Sequence, residues 1–449
     1  MTTAWWAGFA LRDITPSRPA EVSGFAGREQ PATGVHDRLF VRALALGDGA
    51  TAAAIAVVDL IGVEAAITER VRERVRAAVG EALSYVAVVA THTHGGPAVL
   101  RRALLGTVDD AYVEGLVTRI ADAVLEAFAG RAPVVIRYGL GHERSVAKNR
   151  RDPAGPIDPD LPVIRFDDPA TGRPRGVLCS YACHPVTLGP DNRRYTRDYP
   201  GFLVDRLSEA CGGAPVVFLT GCCAQLNTGH SAMDSILGRG FEKRTFAEAE
   251  RLGGALAGMA AHTFFRIGPP GGVPDARPEA GTWADSARLR LPLTPVERPD
   301  AEAIASLERQ AVELAADPAR RGEAVMVEAH VQWARTHDPG AAHVDTEVGI
   351  VAVGEVVIVL LPGEVFVEFA LELKRRFARL RLVCVSYAND AIGYLPHRSA
   401  FAGGGYEVEL AYRHYGFSGP YAVEAGEVLV TAVADLLERL EEVRGPAAI

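Results

Sequence analysis

Four short apolar runs in this chain each lead into residues that can bind or surround a metal ion. They are SYVAVVA before His92, RGVLCSYAC before His184, APVVFLT before Cys222 and GEVVIVLLP before Glu364. Each run is rich in β-branched residues, which predicts a buried strand with polar residues at its carboxyl end. Ligands bind at that edge of open α/β sheets, so two imidazoles and a carboxylate brought together there predict a divalent-cation site.

Composition restricts the class of partner. The 449 residues are 48% hydrophobic and 23% charged, and the formal net charge is −9 without a Lys/Arg run. This globular, acidic composition argues against nucleic acid or an anionic membrane surface as the main partner. Small molecules or proteins remain as ligands, and an assembly of identical subunits is left open.

The start of the chain and its cysteines indicate the compartment. The opening MTTAWWAGFALRDITP lacks the basic region and the apolar core of a signal peptide. No apolar stretch approaches the roughly 20 residues of a spanning helix. Six cysteines without paired spacing lie mostly in apolar runs, which predicts reduced, buried thiols. We therefore expect a cytoplasmic protein without stable membrane insertion.

Strand-like and helix-like segments alternate along the chain, which predicts an α/β fold with a buried sheet flanked by helices. For example, AAAIAVVDLIGV precedes the amphipathic EAAITERVRERVRAAVGEAL. The Gly- and Pro-rich residues 268–283 are the best linker candidate. Two polar helices within residues 298–338 are expected to form an excursion from the sheet core.

Several motifs, taken in their order and spacing, resemble those of the neutral/alkaline, non-lysosomal ceramidases and their shorter bacterial relatives. The motifs run from Gly8 to about Leu440 and include GFALRDITP, VVDLIG, THTHGGP, YACHP, DYPG, LPGE and YAND. The resemblance implies that residues 1–449 form one catalytic domain with a mixed β-sheet core flanked by helices. We further expect that the domain lacks the C-terminal immunoglobulin-like domain of full-length ceramidases.

The same resemblance implies a zinc centre. By their positions in the matching motifs, the expected ligands of Zn²⁺ are His92, His184, Glu364 and Tyr394. For the tyrosine ligand, neighbouring alternatives are Tyr387, Tyr406 and Tyr412. His94 and Arg150 match family residues that lie at the site and contact the substrate or its developing negative charge.

The chemistry of these residue types agrees with amide hydrolysis. Neutral imidazoles with a carboxylate suit Zn²⁺, which lowers the pKa of a bound water to about 7 and so provides hydroxide to attack a carbonyl carbon. His94 or Arg150 could stabilise the charge on the carbonyl oxygen, and one good donor contributes roughly 3 to 4 kcal/mol. His94 or Tyr406 could protonate the leaving nitrogen. Because residues two apart on a strand face the same side, His92 and His94 could also both bind the ion.

One segment departs from the family pattern. Ceramidases carry a GDVSPN-like segment with a serine that is important for activity, whereas this chain has Asn227 in the serine's place and Gln225 in the acid's. The missing hydroxyl argues against ceramide itself as the substrate. Water activated by a metal does not need that hydroxyl, so a smaller, soluble substrate is expected.

The leading hypothesis is a zinc-dependent hydrolase that cleaves the C–N amide bond of an N-acyl small molecule. A second hypothesis keeps the metal but makes the chain a lyase, cyclase or esterase acting on a small carbonyl metabolite. A third is a metal-containing binding protein that has lost activity. Mixed nitrogen and oxygen ligands leave manganese and iron open beside zinc.

Other polar residues have two interpretations each. His230 could reach the site from its loop or be solvated there. Glu407 and His414 could shape the pocket or form a polar face. His36 and Asp37 could support the metal ligands or form a structural turn.

Overall fold

The computed structural model describes residues 5–25, 28, 30–101, 106–237, 240–267, 281–336 and 340–444. Most of the predicted linker, residues 268–280, lies outside the described residues, and residues 281–283 lead into a strand. None of the described helices combines the length and the apolarity that crossing a bilayer requires.

The strands fall into three consecutive stretches of the chain. The first contains β1 (Trp6–Asp13), β2 (Gly34–Val35), β3 (Phe40–Gly47), β4 (Ala52–Val58), β5 (Tyr85–Ala90) and β6 (Ala132–Pro133). The second contains β7 (Val135–His142), β8 (Lys148–Asn149), β9 (Asp160–Asp167), β10 (Pro174–Tyr181), β11 (Arg194–Tyr195), β12 (Val216–Thr220) and β13 (Leu226–Asn227). The third contains β14 (Thr282–Pro292), β15 (His343–Val353), β16 (Val356–Leu360), β17 (Glu364–Val365), β18 (Arg381–Val385) and β19 (Tyr394–Leu395).

The helices lie between and after these strands. They are α1 (Ala65–Val79), α2 (Asp110–Ala129), α3 (Asp198–Ala210), α4 (Ala232–Leu237), α5 (Phe246–Arg266), α6 (Ala301–Ala315), α7 (Arg321–Thr336), α8 (Val367–Arg376), α9 (Ala411–His414) and α10 (Ala425–Arg444). A single π-helical turn, Tyr406–Leu410, precedes α9. Such turns are frequent at functional sites.

Three sheets contain the longest strands. Their strand orders are β5-β4-β3-β1-β6, β12-β10-β9-β7 and β14-β15-β16-β18. Parallel pairing joins β4 to β5, β10 to β12 and β16 to β18. The long strands β1, β3, β14 and β15 pair antiparallel with their neighbours. The predicted mixed β-sheet core is confirmed, and it is divided among three sheets.

Each of the four apolar runs forms a strand, namely β5, β10, β12 and β16. The alternation of strands and helices did not reveal β1, β3, β14 or β15. Strands β1 and β14 contain several consecutive part-exposed residues, as in the sequence TWADSARLRLP of β14. These two strands therefore lack the continuous buried apolar run that marks strands such as β5 and β12. All four strands join a sheet through antiparallel neighbours, which need no crossover helix.

The sheets face a common interior, and helices cover their outer faces. Inner-face residues from all three sheets form one buried cluster, for example Ile55, Leu178 and Ile358. Helices α1 and α2 pack outside the first sheet, α3 and α5 outside the second, and α8 and α10 outside the third. The predicted flanking of the sheet core by helices is therefore confirmed.

The carboxyl ends of strands from the three sheets converge. Just after β18, the amide of Ser386 donates to the Thr220 carbonyl at the end of β12, at 3.0 Å. The next carbonyl, of Tyr387, accepts from the Ala90 amide at the end of β5, also at 3.0 Å. The Thr220 hydroxyl donates to the Thr91 carbonyl at 2.8 Å. The segments that follow these strands are thereby brought to one place.

Helices α6 and α7 occupy the range predicted as an excursion and pack against each other. Trp333 of α7 is buried, and its indole Nε1 donates to the Phe417 carbonyl at 2.7 Å. This contact ties the helical pair to the segment before α10. The six cysteines are all free and buried, as the sequence predicted.

Candidate active site

His92 and His184 are oriented by backbone carbonyls. His92 Nδ1 lies 2.6 Å from the Ile61 carbonyl oxygen, and His184 Nδ1 lies 2.8 Å from that of Cys223. A carbonyl oxygen can only accept, so each Nδ1 carries the hydrogen. In a neutral imidazole this leaves a lone pair on Nε2. The backbone therefore selects the tautomer in which Nε2 can bind a metal.

The carboxylate of Glu364 faces these two nitrogens. Its Oε2 lies 2.9 Å from His184 Nε2 and 3.4 Å from His92 Nε2, and its Oε1 accepts from the Tyr415 hydroxyl. Gly363, with φ +63°, sets the turn before it. A Cβ there would lie 2.5 Å from the Ile392 side chain, so this close approach requires glycine.

His94 adds a third imidazole to the cluster. Its Nε2 lies 3.4 Å from His92 Nε2, and the ligand nitrogens of His92, His94 and His184 all lie within 4.8 Å of one another. The ring packs on Phe25 with 4.8 Å between centroids. Gly24, with φ +106°, lies so close that a Cβ would be 2.4 Å from His94 Nδ1. The geometry thus admits His94 as a ligand as well as a neighbour of the ligands.

Burial sets the charge state of the cluster. It lowers the pKa of His184 to about 4, and burial followed by the neighbouring His92 and His184 holds the pKa of His94 well below its ordinary value. Burial alone would raise the pKa of Glu364, but His92 and His184 outweigh it and hold that pKa well below its usual range. Neutral imidazole lone pairs and an ionised carboxylate oxygen therefore face one another. Such a donor set fits a divalent cation.

Tyr394 and Arg150 lie next to Glu364 and the histidines. Parallel pairing of β17 and β19 places Tyr394 opposite Glu364 in register. The Tyr394 hydroxyl accepts from Arg150 Nη2 at 3.2 Å. Arg150 Nε donates to Glu407 at 2.9 Å, and Arg151 donates to the other oxygen of the same carboxylate at 2.7 Å. Burial alone would lower the pKa of Arg150, but Tyr394 and Glu407 outweigh it and raise the pKa, which keeps the guanidinium charged.

A small cavity of about 60 Å³ lies against this cluster. Its polar walls are His94, Arg150, His184, His230, Ser235, Tyr394, Tyr406 and His414. Phe25, Val186 and Ile236 form an apolar side. His92 and Glu364 lie directly behind His184. The structure therefore brings together all seven residues that the sequence singled out as metal ligands or catalytic groups, while the role of each stays a prediction.

Residues 5–211 match the family described as neutral/alkaline non-lysosomal ceramidase, N-terminal. A neutral ceramidase of Pseudomonas aeruginosa is 28% identical over 221 residues, which are 43% of this chain and 32% of that protein. The N-terminal part of the chain, residues 5–211, thus matches the neutral/alkaline ceramidase family. Neutral ceramidase 2 of Arabidopsis thaliana is 25% identical over 221 residues, covering 44% of this chain and 29% of the relative. The matched part thus spans about a third of the length of these curated relatives.

The ceramidase fold extends over nearly the whole chain. The match to the crystal structure of the neutral ceramidase from Pseudomonas aeruginosa covers 97% of this chain and 75% of the ceramidase chain. Its TM-score is 0.72, and the sequence identity is 18%. A ceramidase complexed with C2 gives a TM-score of 0.71 at 17% identity, covering 97% of this chain and 76% of its own. The predicted resemblance to this family and the predicted fold class are confirmed.

Sequence reasoning did not assign two tyrosines that shape the histidine cluster. Tyr415 holds Glu364 Oε1, although 51 residues separate the two in the chain. Tyr387, considered only as an alternative ligand, stacks on the His92 ring with centroids 3.9 Å apart and planes 13° apart. Both contacts arise from the tertiary fold, and no local sequence pattern signals them.

Asn227 and Gln225, which replace family residues, have structural partners. Asn227 is fully buried; its Oδ1 accepts from the amides of Gly229 and His230 at 2.8 and 3.2 Å, and its Nδ2 donates to the His230 carbonyl at 2.7 Å. Gln225 donates to Glu368 at 2.5 Å and accepts from the Val367 amide at 3.1 Å, at the start of α8. Asn227 therefore shapes the loop that carries His230 to the cavity.

The alternatives for His36 and Asp37 are also decided by the contacts. Asp37 accepts from the Thr196 hydroxyl at 2.6 Å and from Arg197 Nε at 2.9 Å. The His36 ring stacks on Phe246 with 3.7 Å between centroids. These contacts join the loop before β3 to α3 and α5, so the pair forms a structural turn.

Proposed function

We propose that this chain is a metal-dependent amidohydrolase that cleaves the C–N bond of an N-acyl small molecule. The observation that carries the proposal is the set of imidazole lone pairs and carboxylate oxygen facing one another beside Arg150. The relatives named above are neutral ceramidases, and a ceramidase cleaves an amide, which agrees with this chemistry. The cavity of about 60 Å³ and Asn227 favour a substrate smaller than ceramide.

The residues proposed to hold the ion, preferably Zn²⁺, are His92, His184, Glu364 and Tyr394, with His94 as an alternative to Tyr394. When bound, such an ion supplies Lewis acidity and lowers the pKa of water to about 7. Carbonyl contacts at Nδ1 keep His92 and His184 in the tautomer that offers Nε2. The Tyr415 hydroxyl fixes the carboxylate of Glu364.

The chain's own residues account for the charge and proton movements of hydrolysis. Addition of water to the carbonyl carbon forms a C–O bond, and Arg150 stabilises the negative charge on the carbonyl oxygen. The neutral His94 imidazole can accept the proton that water loses. His94 then gives that proton to the nitrogen as the C–N bond breaks, either directly or by returning a proton to Tyr406 after the Tyr406 hydroxyl has donated. The products are a carboxylate and a protonated amine.

The proposal is tested by incubating metal-replete protein with short- and long-chain N-acyl compounds in ¹⁸O-labelled water. Hydrolysis predicts a free amine and one ¹⁸O atom in the released carboxylate. Conversion of a carbonyl compound without incorporation of label would instead support a lyase or cyclase. A cytoplasmic location remains part of the proposal, tested by fractionation of cells that express the chain.

A further inference from the structure

The cavity has a second polar wall that the proposed chemistry does not use. It is formed by His230 in the loop before α4, Ser235 on α4 and His414 on α9, which line the same cavity as His94 and His184. Among the described residues, His230 Nε2 and His414 Nδ1 are buried without a hydrogen-bond partner. His414 is only 2% exposed. Leaving such a buried atom unpaired is unfavourable, so a ligand that pairs with both nitrogens is favoured.

The loop of His230 is built to present this ring. Asn227 makes three hydrogen bonds to the backbone of Gly229 and His230, and Gly229 has φ +110°. Asn227 therefore orders the loop so that a histidine lies at the cavity.

The electrostatics of this wall favour an anion. No Asp or Glu is among the described residues that line the cavity, whereas Arg150 does line it. The hydrogen bonds of Arg150 use Nε and Nη2, so within the described part of the chain Nη1 remains for the carbonyl oxygen of the substrate, and the positive charge of the guanidinium also attracts an anion bound nearby. Ser235 Oγ accepts from Arg244 Nη1 at 3.0 Å, and its own hydrogen is left to donate. Each neutral imidazole adds one more N–H donor.

We propose that this wall binds a carboxylate, so that the substrate is an N-acyl amino acid or a compound with a carboxylate similarly close to the amide. The inference rests on the proposed amide hydrolysis and names its substrate class. A cavity of about 60 Å³ holds a compact group and leaves no room for a long acyl chain within the described walls. His230, Ser235 and His414 are then residues that determine specificity.

The test compares N-acetylglycine with N-acetylglycinamide, which differ only at the terminal group, a carboxylate in the first and a neutral carboxamide in the second. Binding to metal-replete protein is measured by calorimetry near neutral pH, and hydrolysis is measured in parallel. We expect the acid to bind about tenfold more tightly, as a hydrogen bond to a charged group is stronger than one to a neutral group. His230→Phe and Ser235→Ala should each remove most of this difference at unchanged metal content. His262→Asn, an exposed position on α5, is the matched control.

The outcomes separate the inference from the proposed function. Equal or tighter binding of the amide, or no binding of either compound, overturns the carboxylate site. Hydrolysis of both compounds at equal rates overturns it as well but retains the amidohydrolase. Selective binding of the acid without any hydrolysis supports the carboxylate site and contradicts the proposed function.

Discussion

On one side of the cavity, His92 and His184 donate from Nδ1 to backbone carbonyls, and Glu364 is held by Tyr415. On the other side, His230 and His414 each keep a buried nitrogen without a partner in the described part of the chain. The same residue type thus serves two purposes. The imidazoles of His92 and His184, whose second nitrogen is fixed, are prepared for a metal, whereas those of His230 and His414 are available to another ligand.

The largest effect is expected at the proposed metal ligands, His92, His184 and Glu364. His184→Ala removes one proposed ligand and leaves Glu364 Oε2 without the imidazole that lies 2.9 Å away. We expect loss of stoichiometric metal and a fall in kcat of about a thousandfold or more, since metal catalysis contributes several kcal/mol. Elemental analysis and initial rates provide the measurement, and His262→Ala is the control. Full metal content in His184→Ala would contradict the assignment.

Arg150→Met should separate catalysis from metal binding. The variant removes the cation proposed to stabilise the carbonyl oxygen, and a lost donor of this kind lowers kcat by about 10² to 10³. Metal content should change little, because Arg150 contacts only Tyr394 among the proposed ligands and the contacts of His92, His184 and Glu364 are kept. An unchanged kcat would show that Arg150 has only a structural role.

Tyr415→Phe tests how much metal binding depends on the hydrogen bond that holds Glu364. The ring is kept and only the hydroxyl that donates to Glu364 is lost. Removal of such a supporting contact should weaken metal affinity by about 10- to 100-fold. Competition with a chelator measures the dissociation constant. Tyr138→Phe, on β7, is the control and should retain the wild-type affinity. Equal metal affinity in the two variants would contradict the proposed role of Tyr415.

The smallest effect is the pH dependence of stability that arises from His230 and His414. Burial lowers the pKa of His414 from 6.5 to about 4 and that of His230 to about 3. Between these values and 6.5 the unfolded chain binds protons that the folded chain does not, so stability falls as pH falls below about 6.5. For His414 the loss is about 2 kcal/mol near pH 5. Denaturant unfolding of His414→Gln should show a shallower pH dependence than the wild type, and identical slopes would contradict this.

The local parts of the structure were predictable from sequence. Buried strands such as β5, β12 and β16 are continuous apolar runs, and the polar residues after them have distinct chemistry, so both could be located without tertiary information. The family motifs then supplied the proposed ligand set, which the fold brings to one cavity. Strands with many exposed residues, such as β14, gave no comparable signal.

What could not be predicted depends on contacts between distant segments. Tyr415 reaches Glu364 only because the segment before α10 packs beside β17. The carbonyl that selects the tautomer of His184 belongs to Cys223, which follows the neighbouring strand β12. The effect of Asn227 was visible in the sequence only as a missing hydroxyl. Its hydrogen bonds to the loop of His230 appear once the backbone is folded.

The central claim is tested most directly by anomalous scattering at the zinc edge from crystals of the purified chain, combined with elemental analysis. The account predicts one ion per chain, in contact with His92, His184 and Glu364, and the map also shows whether His94 or Tyr394 completes the shell. An ion bound elsewhere, or none after purification in the presence of zinc, manganese and iron, would contradict it.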